Sequence, residues 1–451
     1  MKNHLRFFLC SLTVAFLASC ATEQAPSADG SAQKVEKGFV SLFDGKTLNG
    51  WNLKDGKTDG YGVTNGMIFC KRGGGGNLLT EAEYGDFILR LDFRLEDGSN
   101  NGVGIRTSAV GDAAYMGMEI QMLDDTAAKY TNLRPGQYHG SIYDVVPAKR
   151  GALNPVGQWN SEEISAIGRH IKVTVNGKVT VDADLNSVTD AATLLRHPGL
   201  LRERGHIGFL GHNDYIEAKN IRIKAMPDYK SWHPLAKKNV PPPGFQALFN
   251  GRDLNNWKGL VADPIKRAKM TSEQLASAQA KADASARAHW TVQDGVITFD
   301  GKGENLVSGK DYKDFEMIVD WKISEKGDSG IYLRGSPQVQ IWERNSPGQT
   351  TPPSGSGGLY NNQKNPSKPL AYADRFVGEW NRFRILMIGE KVTVYLNDEL
   401  VVNATTLENY WERSKPIYPT GAVELQSHSS PLWFRNVFIR EINASTNSPA
   451  H

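Results

Sequence analysis

Phe87-Ile88-Leu89-Arg90-Leu91-Asp92-Phe93-Arg94 is the stretch that sets the fold class. Phe87, Leu89, Leu91 and Phe93 fall on one side of an extended chain, and Arg90, Asp92 and Arg94 on the other. That period of two is the mark of a strand with one buried face. Ile171-Lys172-Val173-Thr174-Val175 and Val392-Thr393-Val394-Tyr395-Leu396 alternate in the same way and run into Asn176-Gly177 and Asn397-Asp398. Asn-Gly between alternating runs is a strong hairpin signal. With 45 glycines and 21 prolines among 451 residues, and no strand–helix alternation, the chain reads as all-β, built of sandwiches or jelly rolls.

The length predicts two or three domains, and an internal repeat makes it two. Gly38-Phe39-Val40-Ser41-Leu42-Phe43-Asp44-Gly45 returns as Gly244-Phe245-Gln246-Ala247-Leu248-Phe249-Asn250-Gly251. Leu48-Asn49-Gly50-Trp51 returns as Leu254-Asn255-Asn256-Trp257, and Tyr84-Gly85-Asp86-Phe87 as Tyr312-Lys313-Asp314-Phe315. Gly157-Gln158-Trp159-Asn160 matches Gly378-Glu379-Trp380-Asn381, and the stretch from Gly205 to His212 matches that from Gly421 to His428. The order never changes, so the domains are 38–228 and 244–445, joined by a Pro-rich linker over 229–243. One stretch stands apart: 263–288 is rich in Ala, Lys and Gln, and Thr271 precedes Gln274 by three residues. That is a capping-box helix inserted in the second copy, either a decoration on one edge or a lid.

Lys+Arg 52 against Asp+Glu 49 leaves a net charge of +3, too balanced for a protein devoted to nucleic acid. Three cysteines build no disulfide framework, and no zinc-ligand spacing is present. Residues 1–20 have a basic start, a short apolar run from Phe7 to Leu17, and Leu17-Ala18-Ser19-Cys20 at the end. This is the layout of a signal peptide. The ending resembles a bacterial lipoprotein box, which implies lipidation at Cys20, a tether over 21–37, and a place in the cell envelope with membrane contact only through the anchor. Cys70 is then the single thiol left in the folded part.

Strand parity locates candidate chemistry. Ile120 and Met122 suit the core, so Glu119 and Gln121 should face out of the sandwich. By the same logic Leu210 and His212 point outward, as do Glu424, Gln426 and His428 in the second copy, together with Gln338, Gln340 and Trp342. Arg106 and Arg334 end strands on that face. One carboxylate per copy does not make the acid pair of ordinary glycosidases. A carboxylate base with His, Arg and Gln beside it fits proton abstraction next to a carbonyl. Glu119, His212, Arg106 and Gln121 form the first candidate set, and Glu424, His428, Gln426 and Arg334 the second. His139, Tyr143, Asp124, Gln340, Trp342 and Tyr360 are candidate substrate-binding residues. Asp124-Asp125 could ligate calcium, but no calcium-loop spacing supports it, and no cofactor or resident metal is expected.

These segments resemble the 3-keto-disaccharide hydrolase domain family. The resemblance rests on Leu42-Phe43-Asp44-Gly45, Asn101-Gly102, Glu119 to Asp124, Gly140-Ser141-Ile142-Tyr143, Trp159-Asn160 and Gly205 to His212. The counterparts are Leu248 to Gly251, Asp328 to Ile331, Gln340-Ile341-Trp342, Trp380-Asn381, Glu424 to His428 and Phe434-Arg435-Asn436. It implies two concanavalin A-like jelly rolls acting on glycosides already oxidised to a ketone at carbon 3, with the ketone made by a separate sugar oxidoreductase. Leu210 departs from the family's Gln, and Gln338 from its frequent Glu. The rival reading is a lectin-like carbohydrate-binding protein, or one catalytic and one binding copy, because fold does not fix function. Trp342 gives the second copy the more lectin-like face.

Overall fold

The computed structural model describes residues 36–54, 59–226, 238–343 and 355–442. The signal sequence, Cys20, most of the tether and the first part of the linker lie outside the described residues. Each copy is a sandwich of an eight-stranded and a five-stranded antiparallel sheet, so the all-β jelly-roll expectation holds. In the first copy the five-stranded sheet runs Trp51–Lys54, Gly76–Thr80, His206–Gly211, Asn100–Thr107, Met118–Leu123. Its counterpart runs Trp257–Gly259, Leu306–Ser308, Glu424–Leu425, Asp328–Leu333, Ser336–Trp342.

The strand Phe87–Leu95 lies at the centre of the larger sheet with Phe87, Leu89, Leu91 and Phe93 in the inter-sheet core. Asn176-Gly177 and Asn397-Asp398 form two-residue hairpin turns, all four residues at positive φ. Such turns need that left-handed backbone to match the strand twist. The inserted helix spans Ser272–His289, and its capping box is made on both sides: Gln274 N–H donates to Thr271 Oγ1 and Thr271 N–H to Gln274 Oε1. It covers a sheet edge. Asp283 accepts from Gly259 N–H, and Gln279 donates to Gly259 C=O, so the edge strand Trp257–Gly259 leaves fewer open backbone groups.

The two copies touch each other and the segments that flank them in three places. Glu36, at the end of the expected tether, is clamped by Arg222 and Arg90, which hold its carboxyl down at about 2. Asn239, in the expected linker, exchanges hydrogen bonds with Asn436 of the second sandwich. Most consequentially, Leu386, Ile388, Tyr395, Leu400 and Ile442 of the second copy join the apolar cluster of the first. Tyr395 Oη donates to Pro198 C=O, Arg384 to Leu201 C=O and Arg440 to Asn186 C=O across this interface. Glu316 sits between Arg384 and Arg440 and is held at about 2 despite burial. This is why the strand Phe315–Ile323 is buried on nearly every residue while Phe87–Leu95 alternates.

Candidate active site

The first copy carries a cleft of about 350 Å³ on the face of the five-stranded sheet that turns away from the core. It is lined by Asn77, Gly111, Asp112, Ala114, Glu119, Leu210, Gly211 and His212. The strand Met118–Leu123 brings Glu119, with Gln121 next along the same face, while Ile120 and Met122 enter the core. The strand His206–Gly211 brings Leu210 and ends just before His212. Parity therefore assigned the side chains to the correct face.

Glu119 owes its position to a glycine. Gly104 lies opposite Glu119 and Gly102 opposite Gln121 on the neighbouring strand. A Cβ on Gly102 would stand 2.5 Å from Glu119 Cγ and 2.6 Å from its Cδ, so the glutamate leans across the space that Gly102 leaves. Its carboxylate ends 3.6 Å from His212 Nε2. Oε1 meets no hydrogen-bond donor within the described residues. Burial raises the Glu119 carboxyl above its ordinary 4.5, opposed by the histidine beside it. The same carboxylate raises His212 above its ordinary 6.5, with burial pulling the other way. An acid tuned upward and paired with a cation-capable imidazole is a usable proton acceptor and donor pair.

Glu119 and Gln121 face out of the sandwich yet are themselves buried, and the short helix Ala113–Met116, capped by the Asp112 carboxylate, stands beside Glu119 at the cleft. Ala113 packs on Leu79 and Leu210 in a small apolar cluster separate from the main core. Asn77 and Asp112 were missed in the sequence. Asn77 was within reach of parity, since it pairs with Leu210 in register. Asp112 was not, because nothing in the pattern says that its loop folds back.

Arg106 and Arg334 do not reach either face. Arg106, one residue before the end of Asn100–Thr107, and Arg334, just past Asp328–Leu333, both have positive φ, which turns each side chain into a corner. Arg106 pairs with Asp86 at 3.1 Å and donates to the carbonyls of Gly85 and Gly168. Arg334 pairs with Asp314 at 2.8 Å and donates to those of Lys313 and Tyr418. Both are matched, buried corner pins. His139 is likewise removed from the groove. It packs on Phe93 of the core, its Nδ1 accepts from Leu123 N–H, and burial pushes it down to about 3, so it is neutral. Asp124 accepts from Gly98 N–H and from the N–H and hydroxyl of Thr126, which makes it a turn clasp. Tyr143 accepts from Gln137 and stands edge-on to Tyr115 of the covering helix, beside the cleft wall. Trp159 and Trp380 lie on the outer faces against Lys219 and Arg435, as packing residues.

The second copy keeps the frame and changes the chemistry. Gly330 faces Gln340 as Gly102 faces Gln121. Gln338 stands where the first copy has Glu119 and donates to Gln340. Glu424 faces Tyr332 and is held by Asn305, whose amide donates to Oε2 at 2.9 Å. Burial raises Glu424 to about 7. Gln426 donates to the Tyr332 hydroxyl at 3.4 Å, and His428 stands 3.6 Å from Asp328. Trp342 meets Tyr360 edge-on at 4.8 Å. The carboxylate of this copy is thus held by an amide, whereas Glu119 faces an imidazole. Among the described residues no three or more His, Cys, Asp or Glu side chains gather to hold a metal.

A 3-keto-disaccharide hydrolase of Bacteroides thetaiotaomicron is 21% identical over 259 residues, which span 45% of this chain and 80% of the relative. A crystal structure from Parabacteroides distasonis ATCC 8503, provisionally described as a glycosyl hydrolase, shares 28% identity, with 42% of this chain and 99% of that one covered at a TM-score of 0.38. The carbohydrate binding module CBM66 of Bacillus subtilis shares 14% identity, with 38% of this chain and 94% of that one covered at a TM-score of 0.27. The sequence matches the 3-keto-alpha-glucoside-1,2-lyase-like domain over 38–224 and again over 244–440. With both sandwiches matched almost end to end, this chain belongs to the 3-keto-alpha-glucoside-1,2-lyase-like domain family.

Proposed function

We propose that the first copy cleaves glycosides that carry a ketone at carbon 3 of the sugar. The observation that carries this reading is Glu119, a buried carboxylate with no donor on Oε1, 3.6 Å from His212 in a polar-ended cleft. The ketone acidifies the hydrogen on carbon 2. Glu119 takes that proton, the electron pair passes into the enolate, and the enolate expels the oxygen on carbon 1. His212 protonates the departing oxygen. Water then adds across the resulting enone, its oxygen to carbon 1 and a proton to carbon 2, which completes a net hydrolysis. Gln121, next to Glu119 on the same face, would donate to the ketone oxygen as charge develops there. Arg106 has no part in this, since Asp86 occupies it.

The substrate presupposes an oxidoreductase acting first, as a separate protein. Lipidation at Cys20 and residence in the cell envelope belong to the same proposal, supported by Leu17-Ala18-Ser19-Cys20. Mass spectrometry of the mature N-terminus checks the anchor. The chemistry is tested by incubating the soluble chain from Lys34 with a 3-keto glucoside and with its unoxidised parent. Aglycone should leave only the ketone, and Glu119→Gln should slow release by about 10²–10⁴-fold, the usual worth of a general base. Glu424→Gln should leave it unchanged. Loss of activity in Glu424→Gln alone would transfer the reaction to the second copy.

A further inference from the structure

The second copy keeps Gly330 opposite Gln340 on the matching sheet face and carries Gln338 in place of Glu119, which raises the question of what this face still holds. Three differences separate it from the first copy at matched register. Gln338 replaces the carboxylate of Glu119. Trp342 stands where the first copy has Leu123, paired across the sheet with Asp328 where the first copy has Asn100. Gln426, next to Gly330, takes the place of Leu210, next to Gly102.

We infer that this sheet face is a non-catalytic subsite for a neutral, unoxidised pyranoside, with Trp342 as its wall and Gln338, Gln426 and Asp328 as its polar contacts. A wall is present because Trp342 is only half-buried and Tyr360, about half exposed, steadies its ring edge-on at 4.8 Å. An aromatic face of that kind covers the C–H face of a sugar ring, and the polar groups beside it read the hydroxyls. Acceptor capacity is present because Oε1 of Gln338 and of Gln426 meets no donor within the described residues. Hydroxyl-rich ligands supply donors for such atoms, and an unmet buried acceptor is costly to leave so. Gln340 is held in place by Asp328, to which it donates at 2.7 Å, and by Gln338, so the amide row is arranged in advance. Glu424, buried at this face, is already tied to Asn305. An aromatic wall beside a row of amides suits an uncharged polyol ring. Two sites on one chain, one that cleaves and one that holds, would keep a glycan near the cleft by raising its local concentration.

The test is isothermal titration of the chain from Lys34 with maltotriose and with cellotriose, neither of which carries a ketone at carbon 3. At least one should bind saturably. Trp342→Ala and Gln426→Leu should each weaken it at least about tenfold, and Glu119→Gln should bind as the parent does. Leucine is already accommodated at the matched position of the first copy, so Gln426→Leu reads the site even if Trp342→Ala fails to fold; Trp342→Phe should retain most of the affinity. Binding of neither sugar, parent-like affinity in Gln426→Leu, or loss of binding in Glu119→Gln would each overturn the inference. The titration reads no turnover, so its outcome is separate from whether the first copy acts on 3-keto glycosides.

Discussion

Gly102→Ala isolates the reasoning about the cleft in one methyl group. Gly102 has no positive φ to lose, so alanine costs nothing through the backbone. The whole effect falls on Glu119, whose Cγ and Cδ would lie 2.5 and 2.6 Å from the new carbon. Carbon–carbon contacts are comfortable near 3.5–4.0 Å, so the side chain must swing by more than about 1 Å. Overpacking a buried site costs about 1–3 kcal/mol, and the flexible end of a glutamate places the expectation near the lower figure. Moving a base by ~1 Å can cost about 10²-fold in rate. Gly102→Ala should therefore shift the urea midpoint modestly and cut aglycone release by about two orders of magnitude. The double variant Gly102→Ala/Glu119→Ala should be as stable as Glu119→Ala alone, because the clash has gone. Equal stability and equal turnover in Gly102→Ala and the parent would refute the claim that Glu119 lies across Gly102 and acts there.

Three further outcomes follow from the electrostatics and the interface. Glu119 must be ionised to act, and its carboxyl is raised, so kcat/KM should fall as pH drops through a value above 4.5; His212→Asn should remove the alkaline limb, which a protonated His212 places above 6.5. Asp398 is raised to about 7 by burial and by Glu203 across the interface, against the pull of Arg382. The folded chain therefore holds a proton that the unfolded chain releases near 3.8, and stability should fall as pH rises above that value. Asp398→Asn should flatten that window in denaturation curves taken at several pH values. Expressed alone, 38–228 and 244–445 should each unfold cooperatively but at a lower temperature than in the intact chain, because each loses the contacts of Leu386, Ile388, Tyr395 and Arg384 with the other; melting points equal to those of the intact chain would mean that the interface contributes nothing.

The corrections share a cause. Alternation along Met118–Leu123 was enough to put Glu119 and Gln121 on one face and Ile120 and Met122 on the other. Alternation could not report that a four-residue helix in the preceding loop would stand beside Glu119 and help wall a cleft there. Arg106 and Arg334 were misread because parity assumes that a strand continues, and both residues sit where it stops and the backbone turns to positive φ. His139 was misread because a lone histidine in a loop carries no period at all, and only packing on Phe93 shows that it belongs to the core.

Local rules were therefore sufficient for what local physics controls. The period of two, the Asn-Gly and Asn-Asp turns, the capping box at Thr271 and the ordered repeat determined two all-β sandwiches and the position of the inserted helix. These depend on backbone conformation and on neighbours a few residues away. What the tertiary structure decided involves partners far apart in the chain: His212 beside Glu119, Gly102 beneath it, Asn305 on Glu424, and the first copy pressed against the second. Such meetings are set by sheet register and by which loop folds over which face. A single sequence holds no local signal for them, because the energy that selects them arises only once the whole core has closed.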